Sequence, residues 1–438
     1  MGSELPSGWQ SMELEKAMDV ILDYRGKSPK KTKSGVPLVT AKIVKDGRIN
    51  DATEFIATDD YDSWMRRGLP KTGDVLLTTE APLGEVAQIR DARIALAQRL
   101  IALRGNKEIL DNTFLKYLLQ SSTVQNELLS RSTGTTVVGI KQKELRKITL
   151  NLPPIDEQRK IGDILGTLDD KIELNRQMNR TLEAIARAFF KAWFVDFEPV
   201  KAKAAGATSF RGLPQAVFDE LPNGFTDTGQ GPVPVGWDIV PLSDLVELIG
   251  GGTPKRKTAE YWDGDIPWFS VRDAPNDSDV WVIDTEEKIT ESGVANSSAK
   301  IMEKGTSIIS ARGTVGRLAL TAVPMSMNQS CYGVTGGKGV GGYFVYFTLH
   351  HAVVELQQRT HGSVFDTITR KTFDGMSRAR PQPEVLSAFE DVVDPYLMKM
   401  RGNLFESAVL RSIRDTLLPK LISGELRVPV AEGGANGD

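Results

Sequence analysis

Cysteine is nearly absent from this sequence of 438 residues, and long apolar runs are missing altogether. Cys331 is the single cysteine, so the chain can form no intrachain disulfide, which is typical of a reducing compartment. No stretch of about 18 apolar residues occurs, so no membrane-spanning helix is predicted. The N-terminal region carries several acidic side chains, including Glu4 and Glu13, and no apolar segment of the secretory type. We therefore expect a cytoplasmic protein that has no membrane anchor.

The sequence also lacks the motifs by which common enzyme classes are identified. Residues 26–28 read Gly-Lys-Ser, but Ile21 stands where a phosphate-binding P-loop requires glycine. The glycine cluster at 250–253 lacks the spacing of a dinucleotide-binding loop. Asn-Leu-Pro-Pro at 151–154 lacks the aromatic residue that stacks a flipped base in DNA adenine methyltransferases. Because the three histidines and the distant cysteine also form no zinc-binding pattern, we predict neither catalytic residues nor a metal site.

The overall charge gives little indication of a nucleic-acid partner. The chain has 54 Lys and Arg against 57 Asp and Glu, a formal net charge of −3, whereas nucleic-acid-binding domains usually show a basic surface. The apolar fraction of 40% and the charged fraction of 25% are ordinary for a globular protein. The length allows roughly two to four domains. The distribution of charge matters more than its sum, and positive charge clusters in two loops.

An internal repeat organises the chain. The segment GDVLLTTEAPLGEVAQI begins at position 73, and GTSIISARGTVGRLAL begins at position 305, an offset of 232. Each contains a strand-like run, a polar turn, a glycine (Gly84 or Gly316) and a second apolar run. GTTVVGIKQKEL at 134 resembles GSVFDTITRKTF at 362, at an offset of 228. Since self-similarity at a fixed offset indicates repeated structural units, we predict two similar globules.

A long helix is predicted after each globule, and the two helices are also related by an offset of 228. Residues 156–195 contain no proline, and their apolar residues alternate at spacings of three and four, as in a coiled coil. Asn175 and Asn403 interrupt the two seams at equivalent places, which favours one register of pairing. The alternative is that each helix packs separately on its own domain core. The predicted spacer residues of the seams are Ile161, Leu165, Leu168, Ile172, Asn175, Leu182, Phe389, Val393, Tyr396, Met400, Asn403 and Leu410.

The predicted fold class is α+β, with two similar α/β globules separated by two long antiparallel helices. The helices form a coiled coil, and the repeat is related by a pseudo-twofold axis. The region around 200–235 is rich in Gly, Pro and Ala, which is typical of a linker. The predicted segments are a first globule at 1–152, a central helix at 153–198, a linker at 199–235, a second globule at 236–382, a C-terminal helix at 383–426 and a tail at 427–438.

Basic and polar loops recur at equivalent places in the two predicted globules. Five cations occur at 25–33 without an acidic residue, and three consecutive cations occur at 255–257. Such loops suit contacts with DNA phosphates, whereas Arg, Glu and Gln can bind the edges of bases. The alternative for each residue is ordinary solvated surface, and for Trp262 and Trp268 it is packing. The predicted DNA-binding residues are Lys27, Lys30, Lys31, Lys33, Thr79, Glu80, Gln98, Thr253, Lys255, Arg256, Lys257, Ser270, Arg272, Arg312, Thr314 and Gln329.

The sequence resembles the specificity subunits of type I restriction-modification systems over nearly its whole length. GGTPKR, YWDGDIPWFSVRD and GTSIISARGTVGRLAL are similar to that family's target-recognition domains. LPPIDEQRKIGDILGTLDDKIELNRQ and LLPKLISGELRV are similar to its two helical regions. The resemblance implies that 1–152 and 236–382 are target-recognition domains 1 and 2. Each would read one half of a bipartite, asymmetric DNA site, while the helices set the spacer and dock the methyltransferase subunits.

The resemblance also implies partners and cofactors. The implied partners are double-stranded DNA, two methyltransferase (modification) subunits and two ATP-dependent restriction/translocase subunits, with no membrane. S-adenosylmethionine, ATP and Mg are expected in those partner subunits, and no cofactor is expected in this chain, which would be a non-catalytic subunit. Three other classes stay open: a standalone DNA-binding regulator, a structural protein whose globules bind protein, and a self-sufficient enzyme, which the missing motifs disfavour.

Overall fold

A computed structural model describes the chain at residues 5–24, 28–229, 231–275, 279–359 and 367–429. The chain divides into two compact units. Unit 1 comprises Met1–Lys171 with Val409–Asp438, and unit 2 comprises Ile172–Ala408. Both units contain helices and mixed sheets, so the predicted α+β class is confirmed. Across the described ranges, no helix combines the length and the apolar character that crossing a membrane requires.

Unit 1 has two main sheets. Its strands are β1 (Gln10–Glu13), β2 (Met18–Asp23), β3 (Lys31–Thr32), β4 (Val36–Val39), β5 (Val44–Lys45), β6 (Arg48–Ile49), β7 (Phe55–Ile56), β8 (Val75–Thr79), β9 (Leu83–Gln88), β10 (Ala95–Leu96), β11 (Leu100–Gly105) and β12 (Thr149–Leu152). Its helices are α1 (Leu14–Ala17), α2 (Tyr61–Trp64), α3 (Asn112–Gln120), α4 (Ser122–Ser130), α5 (Gln142–Leu145) and the first part of α6 (Ile155–Phe194). The larger sheet has the order β2-β11-β8-β9, and the smaller has the order β10-β4-β7-β3.

Unit 2 takes up the chain within α6. Its further helices are α7 (Glu198–Ala204), α8 (Gln215–Glu220), α9 (Glu291–Ala295), α10 (Gly342–Arg359), α11 (Arg370–Asp374) and the first part of α12 (Pro383–Ser423). Its strands are β13 (Phe225–Asp227), β14 (Pro232–Pro234), β15 (Asp238–Pro241), β16 (Val246–Gly250), β17 (Trp262–Phe269), β18 (Trp281–Val282), β19 (Lys288–Ile289), β20 (Ser307–Ser310), β21 (Leu318–Thr321), β22 (Ser326–Met327), β23 (Cys331–Gly336) and β24 (Ser377–Arg380). The larger sheet has the order β16-β23-β20-β21-β18, and the smaller has the order β19-β17-β22.

The two units share one topology, which confirms the predicted duplication. The order β2-β11-β8-β9 of unit 1 recurs as β16-β23-β20-β21 in unit 2, and the parallel pair β10–β4 recurs as β22–β17. The ladder β1–β12 pairs Gln10 with Leu152, and the ladder β15–β24 pairs Asp238 with Arg380. Both partners of the second pair are related to those of the first by the offset of 228, so even the strand register is the same in the two copies.

The central strands and the helices beside them follow from local sequence. All five residues of β8 are buried, as expected for a continuous run that is covered on both faces. α3 begins after Asp111, whose carboxylate accepts hydrogen bonds from the backbone N–H groups of Thr113 and Phe114. Phe114 lies with Leu77 in the core of unit 1, so the cap places the apolar face of α3 on the larger sheet.

The corresponding helix of unit 2 is capped from a different part of the chain. α10 begins at Gly342, which has no side chain to accept from the first N–H groups of the helix. Glu390 of α12 accepts these bonds instead, from Phe344 at 2.8 Å and Tyr343 at 3.2 Å. Burial raises the pKa of the Glu390 carboxyl, although these backbone bonds act to lower it. The equivalent of Glu390 in the first copy is Gly162, which packs closely against the start of α3.

The segment predicted to be a linker is folded, which corrects the composition-based prediction for 199–235. It contains α7, α8 and the β13–β14 hairpin. Its apolar side chains belong to the core of unit 2 and are Val200, Leu213, Phe218 and Leu221, with Val233 buried in the hairpin. Gly and Pro here terminate short elements, whereas the recurrent apolar residues bind the segment to the unit.

The long helices run antiparallel within unit 2 and meet at a buried polar layer. The Asn175 amide donates to Ser407 Oγ at 3.2 Å, and the Asn403 amide donates to Asn179 Oδ1 at 2.9 Å. Since the offset of 228 relates Asn175 to Asn403 and Asn179 to Ser407, both bonds join the same two positions of the repeat. All four side chains are buried. The layer therefore favours one register, because any slip leaves buried amides without partners.

The other seam positions pair the helices and also pack on the unit cores. The predicted coiled coil and the alternative, in which each helix packs on its own domain core, are therefore both partly correct. Phe389, Val393 and Met400 are fully buried in the core of unit 2, as Ile161 and Leu165 are in the core of unit 1. Ile172 is also buried. The half-buried seam residues are Leu168, Leu182, Tyr396 and Leu410.

Within unit 1 the helices also run antiparallel, and a charged cluster joins them to α3. Asp169 of α6 accepts from Arg414 of α12 at 2.7 Å, from Tyr117 of α3 at 2.7 Å and from the buried Lys116 ammonium. Burial alone would raise the pKa of Asp169, but the attraction of Lys116 and the three hydrogen bonds hold it below its ordinary value of 3.8. The carboxylate is therefore ionised wherever the unit is folded at neutral pH.

A second ion pair joins the far end of unit 1 to the start of α6. The guanidinium of Arg427 donates to both carboxylate oxygens of Glu157, at 2.7 and 2.9 Å. It also donates to the backbone carbonyl of Ser7 at 3.2 Å. Val428 packs against the core of unit 1, so the first residues of the predicted tail belong to the folded unit.

Replacement of Asp169 by Asn should destabilise unit 1 in a pH-dependent way. The variant leaves the buried Lys116 charge without its carboxylate and leaves Arg414 with Asp415 alone, so its free energy of unfolding should fall by about 3 kcal/mol at neutral pH. Because the folded-state pKa of Asp169 is depressed, this difference should persist above the ordinary value of 3.8 and shrink as the pH falls through the folded-state value. Urea unfolding followed by circular dichroism, at about pH 7 and about pH 3, measures both effects.

The neighbouring Asp170 provides a matched control. Its side chain is 71% exposed and pairs with Arg90 at the surface. Asp170→Asn should therefore change the free energy of unfolding by less than about 0.5 kcal/mol. An equal loss in the two variants would contradict the role assigned to the Asp169 cluster.

Candidate nucleic-acid interface

Three loops of unit 2 meet at one end of its larger sheet. The β20–β21 loop is joined to the β22–β23 loop by a backbone bond, from the N–H of Ala311 to the carbonyl of Ser330 at 2.8 Å. The β16–β17 loop is joined to the same place by a hydrogen bond between the Thr253 hydroxyl and the Gln329 side chain. We call this region the loop edge of unit 2. The loop edge brings together three residues predicted from the sequence, namely Thr253, Gln329 and Arg312, which directly follows Ala311.

Unit 1 has a loop edge of its own, formed by the β8–β9, β10–β11 and β2–β3 loops. The N–H of Thr79 donates to the carbonyl of Arg99 at 2.9 Å. The Gln98 amide donates to Ser28 Oγ at 2.9 Å. Glu80 and Arg99 form an ion pair at 2.8 Å, in which both side chains are nearly half exposed. The predicted residues Glu80 and Gln98 therefore lie side by side at this edge.

The two loop edges are built from equivalent bonds. The Thr79–Arg99 backbone bond of unit 1 recurs as the Ala311–Ser330 bond of unit 2. A further strand segment closes each edge: Ile140 N–H donates to the Thr79 carbonyl at 3.0 Å, and its equivalent at the offset of 228, Ile368 N–H, donates to the Ala311 carbonyl at 2.9 Å. A hydroxyl also bonds a glutamine in both edges, although Gln98 donates to Ser28 in unit 1 and the Thr253 hydroxyl donates to Gln329 in unit 2. The frame is thus held mainly by main-chain atoms.

The repeated glycine of the turn has a conformational reason. Gly84 has φ of +94° and Gly316 has φ of +85°, a region that side chains disfavour. A Cβ atom at Gly84 would also lie 2.4 Å from the side chain of Gln125, and one at Gly316 would lie 2.9 Å from Val353. Each glycine therefore lets the hairpin turn close against the neighbouring helix.

The other sequence-predicted residues of unit 1 differ in how exposed they are. Lys30 is exposed on the β2–β3 loop and Lys33 on the β3–β4 loop, and Lys31, in β3 between them, is held by Glu54 at 2.7 Å. The prediction that Thr79 binds DNA is wrong, because the residue is 1% exposed and has no surface with which to contact DNA. The reason is that β8 is covered on both faces. Lys27 lies outside the described residues.

All three cations of the basic loop of unit 2 are exposed, and one of them is also held by neighbouring side chains. Lys255 and Lys257 are exposed. Arg256 also forms a bidentate ion pair with Glu287 and stacks on the rings of Trp262 and Trp268, at 4.0 and 4.9 Å from their centroids. The hydrogen bond from Arg256 lowers the pKa of the Glu287 carboxyl below its ordinary value. Arg256 thus stiffens the loop, while its side chain stays 53% exposed and keeps surface for the predicted phosphate contact.

The remaining predicted residues of unit 2 lie on or beside the loop edge. Arg312, Thr314 and Gln329 are exposed. Arg272 is exposed and lies 3.8 Å from Glu286. Ser270 is engaged locally, because its hydroxyl and its backbone N–H both donate to the Asp273 carboxylate. Ser270 therefore shapes the turn after β17.

Two residues of the loop edge of unit 1 were missed by the sequence analysis. Ser28 could have been found, since GKSPKK aligns with GGTPKR and places Ser28 opposite Thr253. Arg99 had no such signal, because its equivalent in the second copy is Ser330. Its φ of +77° is rare outside glycine.

The described residues contain no candidate metal site, and a cavity of unit 2 lies away from its loop edge. In the ranges that the structure describes, no three His, Cys, Asp or Glu side chains are grouped so as to hold a metal ion. A cavity of about 540 Å³ lies between the end of α6 and α10, where Phe190, Phe194 and Phe344 line it together with His351. None of the sequence-predicted DNA-binding residues lines this cavity.

Comparison with known proteins agrees with the duplicated edges. The sequence model of the family described as "Type I restriction modification DNA specificity domain" matches residues 6–184 and 234–376, one segment in each copy of the repeat. The HindI specificity subunit of Haemophilus influenzae is 28% identical over 373 residues, which is 76% of this chain and 81% of that protein. The MjaIX specificity subunit of Methanocaldococcus jannaschii is also 28% identical over 373 residues, which is 83% of this chain and 79% of that protein.

A solved structure shows the same fold. The S subunit of a type I restriction-modification system from M. genitalium superposes with a TM-score of 0.56 at 14% identity, covering 96% of this chain and 98% of the other. The family match covers well over half of the sequence, and its two segments include both loop edges. The chain therefore belongs to the family of type I restriction modification DNA specificity domains.

Proposed function

We propose that this chain is the DNA sequence-recognition subunit of a type I restriction-modification complex and that it performs no catalysis itself. The observation that carries the proposal is the repeated loop edge, in which equivalent backbone bonds hold different side chains at the surface. Unit 1 presents Glu80 and Arg99 where unit 2 presents Arg312 and Ser330. Two copies of one frame with different side chains fit the reading of two different half-sites.

The chemistry of the surface residues fits the two kinds of DNA contact. Arg312 has a guanidinium fork that matches the O6 and N7 acceptors of guanine in the major groove. Gln98 and Gln329 carry amides, which match the acceptor and donor of adenine. The ammonium groups of Lys30, Lys33 and Lys255 suit phosphate contacts, which position the protein on the duplex without reading its sequence.

The long helices would set the separation of the half-sites and dock the partner subunits. The buried Asn layer supports this role, because it fixes one register of the helical pair in unit 2. We propose two methyltransferase subunits and two ATP-dependent restriction/translocase subunits as partners, with S-adenosylmethionine, ATP and Mg bound by them. Such a complex would work in the cytoplasm, where the chromosome is accessible.

A reconstitution experiment tests the proposed function. The purified chain is assayed for S-adenosylmethionine-dependent DNA methylation alone and with its methyltransferase partner, and the partner is assayed by itself. Methylation at one bipartite sequence is expected in the mixture only. Tight sequence-specific binding by the chain alone, with no methylation in the mixture, would instead identify a standalone regulator. Binding of DNA without steep salt dependence would contradict a phosphate-contacting interface.

Arg312→Ala should relax the sequence preference in one half-site only. The loss of a bidentate guanine contact costs about 1–3 kcal/mol of discrimination at one base pair, or at two neighbouring ones. Methylation rates on duplexes in which each base pair of the site is replaced in turn measure the effect. Lys255→Ala is the comparison variant, since a lost phosphate contact weakens binding to all duplexes alike. Uniform weakening by Arg312→Ala would make Arg312 a phosphate contact as well.

The double variant Asn175→Leu with Asn403→Leu should loosen the preference for one spacer length. It removes the polar bonds that specify register and replaces both asparagines with leucine, an apolar helix former, so the helical content should be retained. Binding to duplexes whose half-sites are one base pair closer or farther apart measures the preference. Gln177→Leu makes a similar amide-to-leucine change at an exposed position of α6, so it is the control and should retain the preference. An unchanged preference in the double variant would remove the spacer role from the Asn layer.

A further inference from the structure

We propose that Arg99 is the base-reading residue of unit 1 and that Glu80 positions its guanidinium. Arg99 would contact a base edge, as proposed for Arg312, and guanine is the base that its donors match. The inference rests on the proposed function and extends it, because Glu80 is among the residues predicted from the sequence to bind DNA and Arg99 is not.

Backbone bonds place Arg99 at the same point of the frame as a residue of the unit 2 loop edge. The carbonyl of Arg99 accepts from Thr79, just as the carbonyl of Ser330 accepts from Ala311. Glu80, which follows Thr79, therefore occupies the place of Arg312. Each loop edge thus carries an arginine, but unit 1 supplies it from the β10–β11 loop and unit 2 supplies it from the hairpin loop.

The residues around Arg99 orient its side chain without satisfying it strongly. Its Nε lies 2.8 Å from Glu80 Oε1, and the two side chains are 46% and 41% exposed. An ion pair with this exposure contributes little free energy, so its guanidinium can exchange a carboxylate for the acceptors of a base at small cost. A guanidinium that is oriented before binding also loses less side-chain entropy when the base contact forms.

The backbone at Arg99 supports a functional role. Its φ of +77° is unfavourable for a residue with a side chain, and such conformations persist where the surrounding structure enforces them, often at binding sites. The bond from Thr79 and the neighbouring Gln98–Ser28 bond hold this conformation. It turns the side chain of Arg99 toward Glu80.

The pairing also explains why Glu80 is tolerated at an edge that binds a polyanion. An unpaired carboxylate would repel DNA phosphates, whereas Glu80 is neutralised by Arg99 in the free protein. When Arg99 moves to a base, Glu80 stays within reach of the base-bound guanidinium and can hold one of its remaining N–H groups. A site without guanine lacks the matching pair of acceptors, so Arg99 gains less there by leaving Glu80, and this difference in gain is the discrimination.

The test uses the reconstituted complex with its methyltransferase partner. Methylation rates are measured on a panel of duplexes in which every base pair of the recognition site is replaced in turn. Arg99→Ala should lose discrimination by about tenfold to hundredfold at one G·C pair of a single half-site. Arg99→Lys should lose the discrimination too, because an ammonium lacks the bidentate fork, but it should keep more of the overall affinity.

Variants of Glu80 show whether it acts through Arg99. Glu80→Ala should reduce discrimination at the same base pair, and Glu80→Gln should reduce it less, because the amide oxygen still accepts from Arg99. The double variant Arg99→Ala with Glu80→Ala should match Arg99→Ala alone, because a positioning residue has no effect once its target is gone. If Glu80 itself reads the base, Arg99→Ala leaves the preference unchanged and the proposal is wrong.

Two controls separate the failure of this inference from other failures. Arg90→Ala removes an exposed arginine of unit 1 that also pairs with a carboxylate, Asp170, but lies at the opposite end of the β8–β9 hairpin. It should leave all preferences unchanged. The preference in the other half-site should survive in every variant, which shows that the protein is folded. A uniform loss across the panel with Arg99→Ala would overturn base reading, whereas a wild-type complex without any sequence preference would overturn the proposed function.

Discussion

The loop edges depend on one constraint: the N–H at the end of a buried strand must find an acceptor. In unit 1 that donor is Thr79, whose acceptor is the carbonyl of Arg99, and in unit 2 Ala311 donates to Ser330. A buried backbone N–H without a partner costs about as much as a lost hydrogen bond, so the loops are drawn together whatever side chains they carry. Because the frame is made by the main chain, the side chains that project from it are free to differ. That separation of frame from side chain is what a protein that reads different sequences with one fold requires.

The two copies also show how one packing problem is solved twice. α3 of unit 1 is capped by its own Asp111, and Gly162 of α6 lets the helices approach closely. In unit 2 the glycines at the start of α10 leave its N–H groups without a local cap, and Glu390 supplies one from α12. Gly162 and Glu390 occupy the same position of the repeat, so the cap comes from the residue that precedes the helix in one copy and from α12 in the other, while the topology is kept.

Much of the fold follows from the sequence, because the repeat and the helical seams are periodic signals. The offset of 228 predicts the matching ladders, and the paired asparagines predict the polar layer. The segment at 199–235 does not follow, because Gly and Pro indicate flexibility although Phe218 and Leu221 are spaced to bury a short helix. The prediction for Thr79 is wrong for another reason. A strand with one exposed face would leave alternate side chains in solvent, but β8 is covered on both faces.

The interface was less predictable than the fold, since exposed side chains leave no periodic trace. Gln98 and Gln329 were found because the repeat aligns them, and in the structure each bonds a hydroxyl of the neighbouring loop, Gln98 as donor and Gln329 as acceptor. Arg99 was missed because its partner Glu80 lies in another loop and its equivalent is a serine. Arg256 resembles its neighbouring loop cations in sequence, and only the packing against Trp262 and Glu287 distinguishes it.

The tie between Arg427 and the start of the chain has a topological consequence. Its guanidinium bridges Glu157 and the carbonyl of Ser7, so the segment after α12 and the segment before β1 are neighbours in unit 1. A short peptide could join them, and a new opening in a surface loop would leave every strand ladder intact. The order in which the two copies are synthesised is therefore not dictated by the fold, and circular permutants of this protein are compatible with the same cores.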